Sequence, residues 1–148
     1  MLHLEHLNLV VKDIPRALAF YQAAFPHWVI RGQGDTRWYG KTRHWLHLGD
    51  DYQYLTFNDQ GEGENRDLKS HTLGLAHFAF VTTDLRGIVE RLAKAGFADT
   101  AGKWSLHSRT HDEKRLNTYY FDPDGYEIEF VQYLSDVPAE RNRYSESY

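Results

Sequence analysis

The sequence contains no cysteine, so disulfides, thiolate nucleophiles and cysteinyl metal sites are excluded. It has no basic stripe: 17 Lys and Arg stand against 21 Asp and Glu, for a formal net charge of -4. Nucleic acid is therefore not an expected partner. No apolar run approaches the roughly 20 residues that a membrane span needs. The opening MLHLEHLNLVV has neither a basic leader nor a small-residue cleavage site. These absences together lead us to expect a cytoplasmic location and no membrane partner. No fingerprint for a nucleotide, glutathione or CoA is present, and neither His6 nor His77 belongs to a His-x-x-x-His spacing.

What the chain does have is bulk and aromatic surface. Its 148 residues are near the usual size of one domain and can bury a sizeable core. Hydrophobic residues make up 41% and aromatic residues 15%, enough for a folded globule. Such aromatics suit a pocket for a planar or apolar small molecule, and they equally suit a core or a subunit interface.

The chain also repeats itself. His6 opens His-Leu-Asn-Leu-Val-Val-Lys-Asp13, followed by the helix-like IPRALAFYQAAF. His77 opens His-Phe-Ala-Phe-Val-Thr-Thr-Asp84, followed by LRGIVERLAKAGF. The offset from histidine to helix cap is the same in both. Internal repetition of this kind sets the architecture before any local reading does. In the first copy Leu7, Leu9 and Val11 share one strand face, and His6, Asn8 and Val10 share the other. Asp13 and Asp84 are N-caps, with Pro15 in the first turn of the first helix. Ile14, Ala17, Leu18, Tyr21 and Phe25 form its apolar stripe; Leu85, Ile88, Val89 and Leu92 form that of the second helix, which Gly96 ends.

Strands are expected near 27–38, 43–48 and 52–58, then near 97–107, 115–121 and 126–133, with a tight turn at FDPDG, 121–125. The predicted fold is α+β, a single domain of two β-α-β-β-β modules forming a cupped mixed sheet. Module 1 spans about 1–58, a polar linker 59–73, module 2 about 74–134 and a polar tail 135–148, either disordered or lying on a partner subunit.

In the last strand, Glu127 and Glu129 alternate with Ile128 and Phe130. If the apolar pair packs under the helix, the glutamates share the face that carries the two histidines. A buried ionisable group is costly unless paired or bound to metal. Two histidines and one carboxylate suit Fe(II), Mn(II), Ni(II) or Zn(II), with positions left open for substrate. The plainer reading makes His6 and His77 satisfied core histidines and Glu129 a solvated edge residue.

Three segments, EHLNLVVKDIPRALAFYQAAF, LAHFAFVTTDL and YYFDPDGYEIEF, resemble the vicinal oxygen chelate superfamily: glyoxalase I, type I extradiol dioxygenases, and fosfomycin and bleomycin resistance proteins. The resemblance implies a divalent metal held by His6, His77 and Glu129. The fourth ligand of glyoxalase I, a glutamate, falls on Tyr54, which argues against that reaction here. His111, Tyr119, Asp122, Pro123, Gly125 and Glu129 follow the order of the extradiol dioxygenase signature, from which Arg109 and Thr118 depart.

The resemblance thus implies a single-domain, dioxygenase-like oxidoreductase acting on a small molecule with vicinal oxygens, Fe(II) favoured. Tyr119 would hydrogen-bond the substrate, and His111 or His107 would serve as acid or base. Tyr54, Trp38 and Trp45 would line the pocket, and a homodimer is expected. The competing readings are a glyoxalase-like lyase or isomerase, a fosfomycin-resistance-like thiol transferase, and a non-catalytic binding protein of the bleomycin resistance kind.

Overall fold

The computed structural model describes residues 2–98 and 114–142. The chain divides into two compact units, Met1–Asn65 and Arg66–Tyr148.

The first unit runs β1 (His6–Val10), α1 (Ile14–Ala24), β2 (Val29–Trp38), β3 (Lys41–Gly49) and β4 (Tyr54–Asn58). The sheet order is β1-β4-β3-β2, with β1 parallel to β4 and the other pairs antiparallel. Asp13 caps α1 by accepting a hydrogen bond from the Arg16 backbone N–H at 2.9 Å. Ala17, Phe20, Tyr21 and Ala24 are buried along its inner stripe. The Tyr21 ring meets Phe57 of β4 at 5.2 Å. Leu9, Leu46, Leu48, Leu55 and Phe57 complete this core. Each fully buried large side chain contributes about 1.5–3 kcal/mol.

The second unit runs β5 (Phe78–Val81), α2 (Leu85–Lys94), β6 (Arg115–Phe121), β7 (Glu127–Tyr133) and the short α3 (Pro138–Arg141). Its sheet order is β5-β7-β6, with β5 parallel to β7 and β6 antiparallel to it. Asp84 caps α2 through the Gly87 N–H at 2.9 Å. Leu85, Ile88, Val89 and Leu92 are buried, as are Phe78, Tyr120, Ile128 and Phe130 of the sheet.

Among the described residues both units therefore run strand, helix, strands, with the last strand lying between the first strand and the one that precedes it, and parallel to the first. The strand expected near 97–107 falls almost wholly outside the described residues. Other strands begin and end within a few residues of expectation. The polar tail differs in part: Arg141 lies 4.1 Å from the Tyr133 ring and Glu140 pairs with Lys114 at 3.8 Å, so its first turn rests on its own unit. No described helix is long and apolar enough to cross a membrane.

Candidate metal and substrate site

In the second unit the face of the sheet opposite α2 is built by strand parity. Tyr119 and Glu129 are register partners across β6 and β7, and Ala79 partners Glu129 across β5 and β7. His77 lies two residues before Ala79 and so falls on the same face. The result is a cluster centred on Glu129, which is only 4% exposed. One carboxylate oxygen, Oε1, accepts from Arg115 Nη2 at 2.7 Å and from Asn117 Nδ2 at 2.8 Å. The other, Oε2, stands 3.3 Å from His77 Nε2. The His77 ring meets Tyr119 edge-on at 5.7 Å. Burial, and then the Glu129 charge, hold the Tyr119 hydroxyl above its ordinary pKa. It is therefore a neutral hydrogen-bond donor at neutral pH and not a phenolate base.

In the first unit His6 lies on the face opposite α1, with its side chain 40% exposed. Its Nδ1 is 2.9 Å from Glu5 Oε2. A neutral imidazole that donates from Nδ1 to a carboxylate carries its lone pair on Nε2, the arrangement typical of a metal-ligating histidine. Tyr54, the register partner of His6, stacks on it at 4.8 Å and 14°. On the other flank His47 of β3 stacks on Tyr54 at 4.7 Å, and Trp45 meets His47 at 4.9 Å. The rings stand in a rank across β1, β4 and β3, at the spacing of neighbouring strands.

Two of the three expected pocket residues thus share the face of His6. Trp38 does not join them. It pairs with Lys41 at the hairpin tip, about 20 Å along β3 from His47 at the usual strand rise, and packs on Arg43 at 4.9 Å. A groove of about 350 Å³ opens on the opposite, α1 side of this sheet, beside Lys12, Ile30, His44 and Leu46. It is separate from the His6 face.

Within each unit and among the described residues, no three His, Asp or Glu side chains converge on one metal position. His77 and Glu129 supply a pair; His6 supplies a single histidine in the other unit. His111, with His107 and Arg109, lies outside the described residues. From the sequence Asn117 and His47 are not among the expected site residues and Arg115 is only an available basic group of open direction, although alternation carries the signal. Arg115 and Asn117 sit four and two residues before Tyr119, and His47 two after Trp45.

Burial holds the His47 ring below its ordinary value of 6.5, with His6 and then Arg31 adding to the effect and Glu5 opposing it. The fold favours the neutral ring. Its contribution to stability is complete above pH 6.5 and is lost as pH falls below that value, because the unfolded chain takes the proton first. His47→Gln is expected to flatten the acid side of the melting-temperature profile. Parallel profiles for parent and variant would contradict this.

A family model described as the Glyoxalase/Bleomycin resistance protein/Dioxygenase superfamily matches residues 3–130. No curated protein matches the chain. Among solved structures, a glyoxalase/bleomycin resistance protein/dioxygenase domain from Frankia sp. EAN1pec is 22% identical, covering 97% of this chain and 99% of its own, at TM-score 0.67. A glyoxalase family protein from Enterococcus faecalis is 20% identical, with coverages of 87% and 96% and TM-score 0.66. The fosfomycin resistance protein FosX from Listeria monocytogenes, complexed with Mn(II) and sulfate, is 16% identical, with coverages of 97% and 99% and TM-score 0.64. At these identities the structural likeness is one of fold.

Proposed function

The chain belongs to the glyoxalase/bleomycin resistance protein/dioxygenase superfamily, and on that premise we propose that it is a metal-dependent enzyme acting on a small molecule with vicinal oxygens. The proposed ligands are His6, His77 and Glu129, and the reaction favoured is extradiol-dioxygenase-like oxidation.

The observation that carries this reading is the His77–Glu129 pair. Two donors each about 2.1 Å from one metal lie about 3.0–3.4 Å apart at octahedral or tetrahedral angles. The 3.3 Å between His77 Nε2 and Glu129 Oε2 falls in that range. Arg115 and Asn117 both bond Oε1 and hold the carboxylate so that Oε2 faces His77. Hydrogen-bonded carboxylates of this kind are the usual support of a metal ligand. The donor set therefore fits a divalent ion, Fe(II) first and Mn(II), Ni(II) or Zn(II) as alternatives. Such an ion supplies Lewis acidity toward the paired oxygens of the substrate.

The chain's own groups do the rest. Tyr119, held protonated, donates to a substrate oxygen near Glu129. Glu5 fixes the His6 tautomer. His111 is retained as the acid/base group, since imidazole titrates near neutrality. The reading includes a homodimer, which sedimentation reads directly.

The test is metal content of protein purified without chelators, alongside His6→Ala and His77→Ala. Stoichiometric iron, lost in both variants, is the expected result and calls for an aerobic catechol screen. Manganese, nickel or zinc held by the same residues would replace oxidation with lyase, isomerase or thiol-transfer chemistry. Failure to bind any of these ions, even after reconstitution, would overturn the enzymatic reading in favour of a binding protein.

A further inference from the structure

Strand β2 pairs regularly with β3 except at one point: Ile30 partners Leu48 and Gly32 partners His47, which leaves Arg31 as an extra residue. A bulge of this kind opposes two residues to one and re-aims a side chain. Ile30 keeps to the α1 side with Leu48, whereas Arg31 is turned toward the face of His47. There its guanidinium lies 4.5 Å from the centre of the Tyr54 ring. Gly34, three residues on, makes room for the neighbouring Trp45. A Cβ at Gly34 would come within 3.2 Å of the Trp45 indole, and one at Gly32 within 3.7 Å.

Stacking uses the face of a guanidinium and leaves its five N–H donors in the plane unspent. Arg31 is exposed, and no hydrogen bond to its guanidinium is formed among the described residues. It is therefore a preoriented fork without an acceptor. His6 and His47 also stack on Tyr54, and Arg31 lies over the ring beside them. The rank does not offer Tyr54 as a stacking floor, and what it adds beside the fork is the polar edges of the rings. His6 is the neighbour of Tyr54, so the fork stands within one small-molecule length of a proposed metal ligand.

We propose that Arg31, turned onto this face by the β2 bulge and stacked on Tyr54, is a carboxylate-binding subsite, so that the substrate carries a carboxylate in addition to its vicinal oxygens. The second clause rests on the metal-dependent reading above; the subsite itself does not.

The test uses the full chain treated with chelator, titrated with benzoate and with benzamide as its uncharged counterpart and followed by tryptophan fluorescence. The parent is expected to prefer benzoate. Arg31→Gln should lower benzoate affinity about 10- to 100-fold, the worth of a charge-assisted pair, and leave benzamide unchanged. Arg31→Lys should recover only part of the preference, because a point charge lacks the planar fork. Equal affinity for both probes in the parent would overturn the subsite, as would an unchanged preference in Arg31→Gln. Phenylphosphonate bound in place of benzoate would overturn the carboxylate assignment. Metal affinity of Arg31→Gln, measured separately, should match the parent. Loss of the metal reading would leave the benzoate preference in place, so the two failures are distinguishable.

Discussion

Glu129→Ala is expected to lose more than about 100-fold in metal affinity, beyond the 10- to 100-fold typical of losing a supporting contact, and to melt well below the parent. The second effect follows from the pairing around the carboxylate. From sequence alone, Glu129 reads as a residue of an open face whose removal spares the fold. The structure places it in the middle strand of its sheet, nearly inaccessible, with Arg115, Asn117 and His77 all turned toward it.

Removing one partner of a buried ion pair costs about 3–5 kcal/mol. The Arg115 side chain is 28% exposed, so about 2–3 kcal/mol is the expected loss after discounting for solvent. Its Nε already lacks a hydrogen-bond partner among the described residues, which leaves little compensation available.

Glu129→Gln separates the two effects. The amide oxygen still accepts from Arg115 and Asn117, and the amide nitrogen can donate to the His77 ring. Stability should fall much less, while metal affinity falls nearly as far. Thermal unfolding and metal stoichiometry of both variants decide the matter. Parent-like metal content in the two would remove Glu129 from the ligand set, and Glu127 would be tried next.

Gly49→Ala is expected to cost roughly 3 kcal/mol, at the upper end of overpacking substitutions. A Cβ there would sit 2.2 Å from the Gln53 carbonyl oxygen and 2.6 Å from Tyr54 Cα. These are backbone atoms of the β3–β4 hairpin, which Asp50 already ties down by accepting from the Tyr52 and Gln53 N–H groups. The strain cannot be relieved by a rotamer change. The hairpin must open, carrying Tyr54 away from its register opposite Gly49 and His6.

Gly32→Ala is the control in the same sheet, since its added methyl meets Trp45 at an ordinary 3.7 Å. Urea unfolding of the pair should show a large drop for Gly49→Ala and a small one for Gly32→Ala. Similar midpoints would refute the steric account.

The repeat, the helices and their caps were legible because their signals are local. Alternation around Leu9 and Phe78, the stripe of α2 and the aspartates before each helix all lie within one turn or one strand. His77 and Glu129 were also within reach, since parity alone puts each on its face. The role of Arg115 was not, because it depends on β6 meeting β7 with Tyr119 opposite Glu129. The direction of Arg31 was hidden for another reason. Alternation counted from Ile30 puts Arg31 on the His47 face and counted back from Gly32 on the α1 side, and only the bulge in the β2–β3 register decides between them. Trp38 shows the converse: its residue type suits a pocket wall, but its position at a hairpin tip separates it from the ring cluster.

The central position of β4 and of β7 bears on how the protein acquires its structure. Each is the last strand of its unit to leave the ribosome, yet each must insert between two earlier ones. His6 meets Tyr54, and Phe78 meets Ile128, across about fifty residues of chain. Such long-range closure makes for high contact order and slow folding. Until β7 arrives, β5 and β6 have unpaired edges and the helix α2 has no sheet to cover. The strand that bears Glu129 is the one that joins the other two described strands of the second sheet, so the buried carboxylate meets Arg115 and Asn117 in the same step that pairs those strands.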